Sequence, residues 1–251
     1  MIIDIHNHFN IGSSFDCPET NIHKRNLPFL LQDYDNCGIS VGAFSPYSSV
    51  LQNGENGIYA DNEYLFQFAN ETERVYQWVV LDPQQEKLFP QIKKLIVGDK
   101  VLGIKIHSVY HKYDIDEYAD KIFSFADELG CFILMHPDKV SNMVKYADKY
   151  PNMKLIIAHL GVSGEAYIEA IHSAKYGNIF TDTSAGGVNL NNIIEYAVEK
   201  VGSEKIFFGT DTYSCGYEVG RIQYARISDR DKENIFYKNA KRNFKKQFKN
   251  L

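Results

Sequence analysis

The chain of 251 residues carries 44% hydrophobic and 24% charged side chains and a net charge of −5. That length suits one large core, and the mildly acidic balance gives no global attraction to nucleic acid or to an anionic membrane. No apolar run approaches the roughly 20 residues needed to span a bilayer, and no basic-then-apolar leader precedes the first apolar run. Cys17, Cys37, Cys131 and Cys215 are scattered without a CxxC pair, which argues against a disulfide framework and makes a reducing cytoplasm the expected setting.

The first element is IIDIHNH (residues 2–8), a short apolar strand ending in His6, Asn7 and His8. Strand side chains alternate faces, so His6 and His8 share one face, with Asp4 expected on the same face lower down. Such a pair either grips a metal ion or is two polar residues on an ordinary strand. Near-continuous apolar runs recur at 39–44, 75–82, 101–107, 131–136, 154–159, 178–184 and 205–211, as in parallel strands covered on both faces. Between them helical periods are read at 27–36, 62–71, 83–97, 116–129, 140–149, 164–175, 190–201 and 218–227, most of them stopping at or beside a glycine. A last helix over 231–248 spaces Phe236, Ala240, Phe244 and Phe248 four residues apart.

Strand starts lie about 23 to 37 residues apart, the length of a strand–helix unit. Eight such units predict an α/β architecture, a (β/α)8 TIM barrel forming a single domain over residues 1–251, with an extra C-terminal helix. The rival is an open doubly wound sheet, but no GxGxxG loop follows the first strand. The longest connections, 10–26 and 45–61, fall on the C-terminal rim of a barrel and are expected to wall a pocket. They contain His23, Lys24, Arg25, Tyr47 and Tyr59, none of which specifies a substrate.

His107, His136, His159 and Asp211 end the fourth, fifth, sixth and eighth strands. Any one of these histidines could be a satisfied core imidazole. Together with the His-X-His pair, all converging on one barrel mouth, they point to a metal site. Asp182 and Ser184 end the seventh strand and either contact substrate, orient a ligand or cap the strand. Tyr110, His111, Tyr113, Tyr213 and Cys215 follow the strand ends as further pocket candidates. His23 and His172 read as surface residues, and the lysines of the last helix as its solvated face rather than a nucleic-acid patch.

At these residues the chain resembles the amidohydrolase superfamily of metal-dependent hydrolases, in the branch that also contains decarboxylases. The resemblance rests on IIDIHNHF, GIKIH, LMHPD, IIAHLG, FTDTSA and FFGTDT in strand order, and on ENIFYKNAKRNF at the close. It implies His6, His8, His136 and Asp211 as ligands of one divalent ion. Nitrogen and oxygen donors suit Zn²⁺, with Mn²⁺, Fe²⁺ and Co²⁺ also compatible. His159 becomes an acid/base or substrate-orienting residue. Lys105 and His107, two apart on the fourth strand, face the interior and are assigned to substrate. A carbamylated Lys105 bridging two ions, the second on His136 and His159, is the alternative to a single metal. A homodimer fits the family.

The ligand set implies a mechanism. A divalent ion lowers the pKa of water from about 16 to about 7. Asp211 would accept its proton, while His159 and the ion stabilise the oxyanion. Hydrolysis of a small-molecule amide, ester or lactone is therefore the expected activity. Protonation of a carbon with release of CO₂ is the alternative the same residues allow, and a non-catalytic metal- or ligand-binding barrel is the rival from another class.

Overall fold

A computed structural model describes residues 1–10, 26–51 and 57–251. Eight strands form one parallel sheet in sequence order: β1 (Ile3–Phe9), β2 (Val41–Pro46), β3 (Val75–Val80), β4 (Val101–Ile106), β5 (Phe132–Met135), β6 (Lys154–Ile157), β7 (Ile179–Asp182) and β8 (Ile206–Phe207). Backbone bonds from Ile5 N to Phe208 O and from Asp211 N to His6 O tie the end of the sheet back to β1. The result is the expected (β/α)8 barrel. Its chemistry-bearing strand ends share one mouth.

The helices follow in order: α1 (Leu27–Cys37), α2 (Tyr47–Leu51), α3 (Gly57–Glu71), α4 (Leu88–Leu95), α5 (Ser108–His111), α6 (Ile115–Leu129), α7 (Met143–Lys149), α8 (Gly164–Ser173), α9 (Ile193–Val201), α10 (Cys215–Gln223), α11 (Asp229–Glu233) and α12 (Asn239–Asn243). Local chemistry sets their ends. Asn26 and Asp114 cap α1 and α6 with side-chain oxygens, and Gly38 and Gly130 close them at φ +71° and +59°, a region that strains residues bearing a Cβ. α4 begins later than the sequence predicts, because the Asp82 carboxylate gathers Gln84 and Gln85 into a turn. No helix among the described residues is long and apolar enough to cross a membrane.

Two buried layers result. The outer one packs the helices on the barrel. The inner one draws on every strand, from Ile3 and Ile5 on β1 through Trp78, Leu134 and Ile156 to Phe207, and is closed from below by Ala240, Phe244 and Phe248. The predicted helix over 231–248 is interrupted. A π turn at Asn234–Lys238 separates α11 from α12. Asn234 and Asn239 reach across it to Ser203 and Ile206 O. The wider turn shifts the helical phase, so Phe236 joins the outer layer beside Phe208 while Phe244 plugs the barrel floor. The lysines of this segment lie outside that buried stripe, as the solvated-face reading expects.

A second irregularity shapes the site. The β1–β2 register runs Asp4↔Gly42 and then Asn7↔Phe44, which puts one extra residue on β1. Below this bulge Ile3 and Ile5 face the barrel interior. Above it His6 and His8 do. Asp4 is therefore not on the histidine face, as strict alternation had placed it. It turns to the α1 side, where its carboxylate accepts from Tyr34, Asn7 and Thr210. The Trp78 indole fills the bulge by donating to Ile5 O at 2.6 Å.

Candidate functional site

The bulge brings His6 and His8 to the barrel mouth, and each ring is anchored through Nδ1. His6 Nδ1 lies 2.8 Å from Asp182 Oδ2 at the end of β7. His8 Nδ1 lies 2.7 Å from Ser45 Oγ on β2. Both Nε2 atoms then face Asp211 Oδ1, His8 at 2.9 Å and His6 at 3.6 Å. His6, His8 and Asp211 form a group whose ligand atoms all lie within 4.8 Å of one another. Two imidazole nitrogens and a carboxylate oxygen, with each imidazole fixed by a further polar partner, fit the donor set of a divalent cation. His6, His159 and Asp182 form a second close group, but its nitrogens are already engaged in a hydrogen-bond network through Ser184.

That network orders the other half of the site. Ser184 Oγ donates to Asp182 Oδ1 and stands 2.8 Å from His159 Nδ1. Asp182 also takes the His159 and Ser184 backbone N–H groups. His159 Nε2 is left facing Asp211 Oδ2 at 3.8 Å. The two oxygens of Asp211 thus look to different partners, Oδ1 to the His6–His8 pair and Oδ2 to His159. His159 and Asp211 hold φ of +68° and +53°, and the adjoining Ala185 and Thr212 are also positive. Strained backbone of this kind costs on the order of 1–3 kcal/mol per residue and gathers at functional sites.

Lys105 enters from β4, 1% exposed, with Nζ 2.9 Å from His6 Nε2. Among the described residues it belongs to no ion pair. Burial lowers its pKa to about 8, against the pull of Asp211 and Asp182. Burial, reinforced by Lys105, lowers His6 to about 3 and His136 to about 3, so both rings are neutral at pH 7. Burial alone would raise Asp211, but the surrounding imidazoles outweigh it and hold the carboxylate ionised.

His136, the expected fourth ligand, is outside the close group. Its ring stacks on His107 with centroids 3.9 Å apart and planes 10° apart, and stands 5.3 Å from the His159 ring. It does line the same cavity of about 230 Å³, together with His8, Lys105, His107, His159 and Asp211. Tyr47, Tyr110 and Tyr213 form aromatic parts of its wall. The other pocket candidates lie elsewhere. His111 is buried with Nε2 donating to Ser49 O, and Tyr113 and Cys215 belong to the outer core. His172 is exposed as expected, and His23 lies outside the described residues. Ser45 escaped the sequence reading. Only the parallel register, which sets it opposite His8, exposes its role.

The fold and the residues at its mouth define the class: a (β/α)8-barrel enzyme whose site is assembled from strand ends. The chain belongs to the amidohydrolase family, whose model matches residues 3–246. No curated protein matches the sequence. Similar solved structures include 5-carboxyvanillate decarboxylase from Sphingomonas paucimobilis, at 15% identity and TM-score 0.78, covering 97% of this chain and 98% of that one. Dihydroxybenzoic acid decarboxylase from Polaromonas, solved with manganese and the inhibitor 2-nitroresorcinol, has 15% identity and TM-score 0.77 over 97% and 96%. 4-Oxalomesaconate hydratase from Rhodopseudomonas palustris has 14% identity and TM-score 0.69 over 98% and 96%. At these identities the likeness is one of fold.

Proposed function

We propose that this protein is a metal-dependent decarboxylase of a small hydroxy-substituted aromatic carboxylic acid. The observation that carries the reading is Lys105, a buried ammonium in the cavity wall that belongs to no ion pair among the described residues. A buried ammonium with no carboxylate in direct contact is costly, even with Asp211 and Asp182 attracting it from farther off, and an anionic substrate supplies a direct partner. A neutral amide, ester or lactone does not, so this site favours CO₂ release over the hydrolysis expected from the sequence. The decarboxylases among the similar structures support the same choice.

His6, His8 and Asp211 are the proposed ligands of one ion, with His136 on the same cavity as a fourth. Manganese in the Polaromonas enzyme supports Mn²⁺ beside Zn²⁺. When bound, the ion supplies positive charge that polarises a substrate oxygen. The protein's own groups do the rest. Lys105 receives the acid's negative charge. Asp211, held ionised, takes the proton of the ring hydroxyl through Oδ2 and returns it to the ring carbon that bears the carboxylate. The bond from that carbon to the carboxylate then breaks, and its electron pair returns to the ring. CO₂ leaves, and the phenolate product takes a proton from water. The negative charge passes from the carboxylate to the phenolate oxygen without leaving the pocket, so Lys105 can attend it throughout.

Hydrolysis remains the second reading, because the Asp211 Oδ2–His159 pair at 3.8 Å could equally relay a proton from water. The test is incubation of Zn²⁺- or Mn²⁺-loaded protein with 2,6-dihydroxybenzoate, 5-carboxyvanillate and a set of aryl esters and lactones. CO₂ released in step with loss of the acid, and abolished in Asp211→Asn, supports the decarboxylase. Ester or lactone cleavage without CO₂ would reverse the assignment.

A further inference from the structure

Five imidazoles line the cavity or belong to its proposed metal ligands, and the hydrogen bonds of three settle which nitrogen carries the proton. His6 Nδ1 sits 2.8 Å from the Asp182 carboxylate, which can only accept, so Nδ1 is protonated and Nε2 is a lone pair. Ser184 spends its own hydrogen on Asp182, so its Oγ accepts from His159 Nδ1, which leaves Nε2 as the lone pair of the neutral ring. His107 is the reverse. The backbone N–H of Tyr110 lies 3.2 Å from His107 Nδ1, and a backbone N–H can only donate. Nδ1 must therefore be the lone pair, and a neutral His107 carries its proton on Nε2.

Its surroundings hold that state. The ring is sandwiched between Tyr110, with centroids 4.2 Å apart, and His136, at 3.9 Å. A ring flip would put a carbon against the Tyr110 N–H and break the bond. A second proton would break it too, since Nδ1 could then no longer accept from the Tyr110 N–H. Nε2 has no hydrogen-bond partner among the described residues, while the side chain lines the cavity two residues from Lys105 on the same strand face.

We propose that His107 is a fixed hydrogen-bond donor to the substrate, presenting Nε2–H to an anionic oxygen of an aromatic acid, with polarity opposite to that of His6 and His159. The identity of the acid rests on the decarboxylase reading; the polarity does not. His6 and His159 offer lone pairs to a cation or a proton. Lys105 and His107 form a separate donor face that recognises the substrate's oxygen atoms. This makes His107 a specificity residue rather than a metal ligand or a general base. A substrate with a ring carbon or an N–H opposite Nε2 would be refused, because the donor would stay buried and unpaired.

The experiment is a two-bond ¹H–¹⁵N correlation spectrum of the uniformly labelled, Zn²⁺-loaded protein at neutral pH, with His107 assigned by its disappearance in His107→Gln. The expected pattern is a pyridine-like Nδ1 and a protonated Nε2 for His107, the mirror of the pattern for His159. Addition of 2-nitroresorcinol, whose oxygens mimic a dihydroxy acid but cannot leave as CO₂, should move the His107 Nε2–H downfield. His107→Phe keeps a flat ring on His136 and should weaken 2-nitroresorcinol binding about tenfold or more, with partial recovery in His107→Gln, whose amide still donates. A protonated Nδ1 on His107, or equal affinity in His107→Phe, would overturn the proposal. Both readouts are independent of turnover. Failure to release CO₂ with the donor pattern and probe binding intact would remove the decarboxylase reading alone.

Discussion

Lys105 Nζ lies 2.9 Å from His6 Nε2, the same lone pair that faces Asp211 and the centre of the proposed metal site. One lone pair cannot serve an ammonium and a metal ion together, and two cations at that separation repel. Loading the ion must therefore drive Lys105 off His6 and toward the cavity. Lys105→Met removes the competitor and should tighten Zn²⁺ binding by about tenfold in a chelator competition. The same variant should lose affinity for 2,6-dihydroxybenzoate by about tenfold or more, since the missing charge is the substrate's partner. Unchanged affinity for both would show that Lys105 serves neither role.

Asp182 is not part of the cavity wall, yet it fixes the two imidazoles on either side of Asp211. It accepts from His6 Nδ1 directly and holds Ser184 in place for His159. Asp182→Asn keeps the shape but offers an N–H where His6 needs an acceptor. Partners of this kind are typically worth 10- to 100-fold in metal affinity. The variant should fall about that far in Zn²⁺ affinity while Ser45→Ala, which releases only His8, falls less. Equal losses would mean that the two anchors act independently of the network through Ser184.

Most of the site was legible because it lies at strand ends. Once His6, His8, Lys105, His107, His159 and Asp211 were placed on parallel strands, the barrel left them no meeting place but one mouth, and the structure brings them there. What the sequence could not show depends on register and phase. The bulge between Asp4 and Asn7 moves Asp4 off the histidine face, and a single inserted residue leaves no trace in an apolar run. Ser45 became an anchor only through its pairing with His8. His136 stacks on His107 rather than closing on Asp211, because ring orientation is decided by neighbours that no spacing rule names. The π turn before Asn239 is of the same kind: four-residue spacing of Phe236, Ala240, Phe244 and Phe248 predicts one stripe, and one wide turn divides it between two layers.

That divided stripe has a measurable weight. Phe244 is 2% exposed and packs edge-on against Trp78 and at a tilt against Phe132 and Phe207 at the barrel floor. Phe244→Ala leaves a cavity in a place where strands on every side limit collapse, and truncations of this kind cost about 3–5 kcal/mol. For a chain of this size the midpoint of thermal unfolding should drop by roughly 10 °C. Metal stoichiometry at the opposite end of the barrel should be unchanged at 25 °C. A small shift in the midpoint would mean that the terminal segment is a cover rather than part of the core.

Glu218 sets a pH dependence of its own. It is wholly buried on α10, its Oε1 accepts from Gly186 N at 2.6 Å, and its Oε2 has no partner among the described residues. Burial raises its pKa from 4.5 to about 8, with the nearby carboxylates of Asp182, Asp4 and Asp211 adding to the rise. Between those values the folded chain keeps a proton that the unfolded chain has released. The unfolded state then binds fewer protons than the native one, so this group's contribution to stability falls as pH rises through the window. Glu218→Gln keeps a carbonyl for Gly186 and cannot ionise. The variant should therefore gain on the wild type as pH rises, being relatively more stable at about pH 8.5 than at about pH 5.5 in urea unfolding. Parallel stability curves for the two proteins would show that Glu218 titrates alike in the folded and unfolded states.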